Sequence, residues 1–100
     1  MNWNKRTRHF GDVIEGETLS FTFLYYGDKE YEKHSVGCGC ITQHDWNDNK
    51  LTIQWKSRDI PTHALQQGDN HYQASKTIAV FFKDKTIVRL YLKAVVYEKE

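Results

Sequence analysis

Four large side chains at every second position, Leu19, Phe21, Phe23 and Tyr25, with Ser20, Thr22 and Leu24 between them, constrain this chain more than any other feature. A period of two sends alternate side chains to opposite faces of a strand, so one face enters a core while the other meets water. Leu51, Ile53 and Trp55 repeat the pattern among Lys50, Thr52, Gln54 and Lys56. Ile78, Val80 and Phe82 repeat it again, as do Val88, Leu90, Leu92, Ala94 and Val96. Helical periodicity is weak throughout, and the expectation is an all-β chain.

Turn chemistry divides these runs. Gly27-Asp28-Lys29 ends the first, a turn signal whose Gly27 can take positive φ. Asn47-Asp48-Asn49 predicts a hairpin joining Ile41–Trp46 to Leu51–Trp55, because Asn and Asp tolerate left-handed backbone. Lys83-Asp84-Lys85 predicts a second hairpin near the C-terminus. Further strands around Phe10–Ile14 and Tyr31–Val36 bring the expected total to about seven, the spacing of a sandwich of two antiparallel sheets, with a small barrel as the alternative. The Leu19–Tyr25 strand is expected to be central. Arg58–Gln73 breaks the rhythm: it holds the only proline, Pro61, and a Gln66-Gln67-Gly68-Asp69-Asn70 run, and reads as a long loop, with one helical turn at Ala64-Leu65-Gln66.

One hundred residues leave room for one core. The expected organisation is a basic arm over residues 1–9 and a single domain over residues 10–100. Lys5, Arg6 and Arg8 give that arm three positive charges and no acid, flanked by Trp3 and Phe10. A solvated arm is the commoner meaning of such a segment; an arm that docks on an acidic protein surface or a phosphate is the sharper one. The whole chain has 14 Lys plus Arg against 13 Asp plus Glu, so it lacks the basic footprint of a dedicated nucleic-acid binder. Met1–Phe10 has no apolar segment of the secretory type, and no stretch reaches the roughly 18 apolar residues that cross a bilayer, so neither leader nor membrane span is expected.

Cys38-Gly39-Cys40 is the most distinctive tripeptide. On a strand the two thiols would share a face, and a bond between them would close a very small ring, so reduced, buried structural thiols are expected. Zinc on Cys38, Cys40 and His44 is the sharper alternative, set against the usual C-x2-C spacing of structural sites, and redox chemistry is a third. His9, His34, His44, His63 and His71 sit in no catalytic motif, and scattered surface histidines are the simpler account.

The order Phe10-Gly11-Asp12-Val13, Gly16-Glu17, Phe21-Thr22-Phe23, Gly37-Cys38-Gly39-Cys40, Gly68 and Lys76-Thr77-Ile78-Ala79-Val80 resembles a bacterial family of uncharacterised domains carrying a C-G-C motif. That family is similar to the Hydin-type and PapD-type immunoglobulin-like domains, and the resemblance runs from about His9 to Val96. It implies an immunoglobulin-like sandwich and no catalytic residues.

Together these readings predict a non-enzymatic structural or interaction module without cofactor, most specifically an accessory bacteriophage virion protein, a capsid decoration or tail-associated component contacting capsid or tail proteins. The expected contact residues are Trp3, Lys5, Arg6, Arg8, His63 and Tyr72. A cytoplasmic adaptor or carbohydrate-binding domain, with Trp3, Trp46, Tyr72 and Tyr91 as a platform, is the alternative.

Overall fold

The computed structural model describes residues 2–37, 40–57 and 71–98. Seven strands run β1 (Thr7–Ile14), β2 (Thr18–Leu24), β3 (Tyr31–Val36), β4 (Ile41–Asn47), β5 (Lys50–Lys56), β6 (His71–Phe82) and β7 (Ile87–Tyr97). They form a four-stranded sheet ordered β1-β7-β6-β3 and a three-stranded sheet ordered β2-β5-β4. Lettered A to G along the chain, these are C-F-G and B-E-D, the arrangement of an immunoglobulin-type sandwich, with the first strand on the G edge.

That last placement corrects two expectations. The larger sheet is not wholly antiparallel, because β1 pairs with β7 in parallel. With β1 gone to the other sheet, β2 is bonded only to β5 among the described strands, so β5 is central and β2 is an edge. The bridge between Trp3 and Tyr25 marks where the chain leaves the β2 side. Ser57, 1% exposed, pins the β1–β2 connection by sharing its hydroxyl proton between the carbonyls of Ile14 at 3.0 Å and Glu17 at 3.1 Å.

The alternation predicted from sequence holds on both sheets. Phe23, Leu51, Ile53, Ile78, Val80, Leu90, Leu92 and Val96 are fully buried between them, and Trp55 and Phe82 are nearly so. Each such side chain contributes roughly 1.5–3 kcal/mol by leaving water. Phe21 and Leu19, on the same face of β2, are only half-buried, as befits an edge.

Both predicted hairpins are present. Asp48 and Asn49 lie at φ 51° and 59° between the paired Asn47 and Lys50, the two left-handed residues of a tight primed turn. Lys83-Asp84-Lys85 closes β6–β7 with Lys85 at φ 72°, and Asp84 holds the turn by accepting from the Thr86 amide at 3.0 Å and binding Lys29. Gly27 is needed for another reason than expected: its φ is not positive, but a Cβ there would run into the Tyr25 hydroxyl and ring, which fold back over it. Gly11, at φ 74°, sits where β1 carries one residue more than β7 between His9 and Asp12, a bulge.

The predicted loop is shorter at its end than expected, since His71, Tyr72 and Gln73 already belong to β6 and pair with Tyr97, Val96 and Val95. Its remainder, with Pro61, His63 and the Ala64–Gln66 turn, lies outside the described residues. No helix among the described residues is long and apolar enough to cross a membrane.

Candidate interaction surface

The N-terminal segment is built into the sandwich rather than held out as an arm. Trp3 is buried, its ring 4.9 Å from that of Tyr25 and 6.1 Å from that of Trp46. An indole at the chain start gains by covering the open end of the core, which corrects its expected role as an exposed docking aromatic. Asn4 clamps the end of β2: its amide donates to the Leu24 carbonyl at 3.0 Å and its Oδ1 accepts from the Leu24 amide at 2.8 Å. The Tyr26 amide donates to the Asn2 carbonyl at 2.6 Å.

The three basic residues do not form one patch. Lys5 and Arg6 are exposed, and the Arg6 carbonyl accepts from the Tyr91 amide at 2.8 Å. Arg8 folds over the flank, its guanidinium carbon 4.9 Å from the Phe10 ring centre and 5.4 Å from that of Phe21, a cation over two aromatic faces. Its Nη1 donates to the His9 carbonyl at 2.8 Å, while Nε is buried without a partner. Tyr72 is half-buried against the core, and His63 lies outside the described residues. Of the tryptophans in the expected aromatic platform, Trp3 is buried, and Trp46 is half-buried and stacked on Tyr31 with ring centres 4.4 Å apart and planes 4° from parallel.

The two sheets end in four edge strands among those described: β1 and β3 on one sheet, β2 and β4 on the other. Unpaired edges invite foreign strands, and proteins blunt them with bulges and charges. β1 has its bulge plus Arg8, His9 and Asp12. β3 shifts register between Tyr31 and Lys33 and bears Glu32 and Lys33. β4 shifts between Ile41 and Gln43 and bears His44 and Asp45. β2 has neither device. Its sequence, Thr-Leu-Ser-Phe-Thr-Phe-Leu, is uncharged, and its register with β5 is unbroken from Thr18 to Leu24.

The direction of β2's peptide groups follows from the ladder. Asn4 takes both backbone groups of Leu24, so these point away from β5. Alternate residues of an antiparallel strand share that direction, which puts the backbone groups of Thr22, Ser20 and Thr18 on the open side. The 3.3 Å contact between the Thr22 and Thr52 hydroxyls agrees, since side chains approach closely at pairs that do not exchange backbone bonds. Of these, among the described residues, only the Thr22 carbonyl is approached from outside, at 3.4 Å by Asn4 Nδ2.

The opposite flank is tied shut. Tyr31 Oη and His34 Nδ1 are 2.6 Å apart, and His34 Nε2 lies 2.8 Å from His44 Nδ1, so a hydrogen-bonded chain crosses from β3 to β4. Burial, then the neighbouring His44, lowers the His34 pKa, and burial raises that of Tyr31. A neutral His34 suits the chain because it can accept at one ring nitrogen and donate at the other, whereas a protonated ring can only donate.

These contacts correct the cysteine and zinc readings. Cys40 is buried and disulfide-bonded, so it is neither a reduced thiol nor a thiolate ligand. Its only possible partner within the chain is Cys38, which lies outside the described residues. His44 faces His34 instead, and among the described residues no group of three or more His, Cys, Asp or Glu could hold a metal ion.

The β1 bulge leaves an open groove of about 370 Å³ beside it, lined by His9, Gly11, Gln73, Ser75, Lys93 and Val95 among others. No protein-family model, curated protein or solved structure matches this chain.

Neither the β2 edge nor the His34–His44 link was singled out from the sequence. A signal for the first was present, a seven-residue alternating run without charge or proline. The second joins residues brought together only by sheet stacking.

Proposed function

We propose that this chain is a non-enzymatic structural and interaction module that contacts its neighbours through strand addition. Its most specific setting is a bacteriophage particle, as an accessory capsid or tail-associated protein. The observation that carries the reading is the contrast among edges: three are bulged and charged, while β2 is regular and uncharged and, among the described residues, is met from Thr18 to Thr22 by Asn4 at the Thr22 carbonyl alone. A strand laid there extends an existing sheet through main-chain bonds, the mode in which backbone supplies affinity and alternate side chains supply specificity.

The virion setting rests on analogy of fold, since immunoglobulin-like sandwiches recur as modules attached to phage particles. Quantitative mass spectrometry of purified virions tests it. The expected result is the chain at a fixed stoichiometry to the major capsid or tail protein. Its absence from particles overturns the setting and leaves a cellular adaptor as the surviving form of the reading.

A further inference from the structure

We propose that the occupant of the β2 edge is a second copy of this chain, paired antiparallel across a two-fold axis at Ser20. The inference rests on the interaction-module reading and specifies its partner.

The free stretch defines the register. Leu24 is occupied by Asn4, so an added strand can use the outward groups of Thr18, Ser20 and Thr22 and no further. That stretch is symmetric about Ser20. Laid against itself, it opposes Ser20 to Ser20 and Thr18 to Thr22; the Ser20 pair can exchange both backbone bonds, and the Thr22 amide can donate to the Thr18 carbonyl, while the Thr18 amide must share the Thr22 carbonyl with Asn4 Nδ2.

The side chains on both faces suit this register. On the outer face hydroxyl meets hydroxyl, a favourable cross-strand pairing with no like charges opposed. On the inner face Leu19 meets Phe21, and both are half-buried apolar side chains that a neighbouring strand would cover. Charge is complementary as well. Glu17, exposed in one copy, comes opposite Phe23 of the other, diagonal to Phe21, over which the half-buried Arg8 guanidinium lies. The isologous contact closes on itself, fusing the two β2 sheets into one and leaving neither β2 edge open.

Sedimentation velocity with three proteins tests this: the unaltered chain, Ser20→Lys and Ser20→Glu. Ser20 is exposed, so either substitution leaves the single copy folded, which circular dichroism checks. In the two-fold register each variant sets like charges directly opposite, while a mixture of the two sets opposite charges there. The expected result is a dimer of the unaltered chain, self-association weakened at least about tenfold in each variant alone, and dimers recovered on mixing. A chain that stays monomeric at millimolar concentration overturns the proposal, as does dimerisation indifferent to both substitutions, or failure of the mixture to recover it. A monomeric chain that is nonetheless stoichiometric in virions removes the second copy while leaving the module reading intact.

Discussion

On the β3/β4 flank the sheet edges are bulged, charged and joined across the sandwich by Tyr31, His34 and His44, with Trp46 stacked on Tyr31. On the β1/β2 flank Arg8 covers Phe10 and Phe21, but β2 itself keeps a straight, uncharged row of backbone groups turned to water. The same fold thus closes one side with side-chain bonds and leaves the other available for main-chain bonds. The difference originates in topology. Once β1 pairs with β7, residues 2–4 are what covers β2 among the described residues, and they reach only its last residues.

The largest expected contrast between the flanks is in stability. Trp46→Ala removes the stack on Tyr31 and ring contacts to Trp3 and Tyr25, and is expected to cost about 3 kcal/mol. Phe21→Ala, on the open flank, is expected to cost about 2 kcal/mol or less, because an edge side chain leaves a gap that water fills. Urea denaturation of the two variants measures the difference, and equal costs would erase the distinction between a closed and an open side.

A smaller effect is expected from pH, and it belongs to the closed flank alone. His34 faces His44 and Asp45 from β4 and Tyr31 from its own strand, and its pKa lies below 6.5 in the folded chain. Between that lowered value and 6.5 the unfolded chain binds more protons, so stability rises with pH through this window. It is present above 6.5, is lost as pH falls below it, and levels off once His34 protonates in the fold. His34→Gln should flatten the change in urea midpoint between about pH 5 and about pH 7.5. An unchanged slope would assign the pH dependence to other groups.

How much was legible in the sequence followed from how local each feature is. The β4–β5 turn could be read from Asn47-Asp48-Asn49 because its chemistry sits in consecutive residues, and the buried faces of β5, β6 and β7 could be read from their period. The place of β2 at an edge could not, since alternation is the same for edge and central strands and only pairing partners separate them. Trp3 looked like a docking residue because nothing adjacent reveals that Tyr25 and Trp46 receive it. Gly27 was recognised as a turn glycine, while the reason for it, the Tyr25 ring, is a conformation no sequence pattern encodes.

Hydrogen exchange at single amides of β2, in dilute solution, tests most directly whether this edge stands open. The Phe21 and Phe23 amides point toward β5 and should exchange slowly, while those of Ser20 and Thr22 point outward and should exchange at close to unprotected rates. Ser20 as slow as Phe21 in a demonstrably monomeric sample would contradict the account, because the row of backbone groups on which it depends would already be covered.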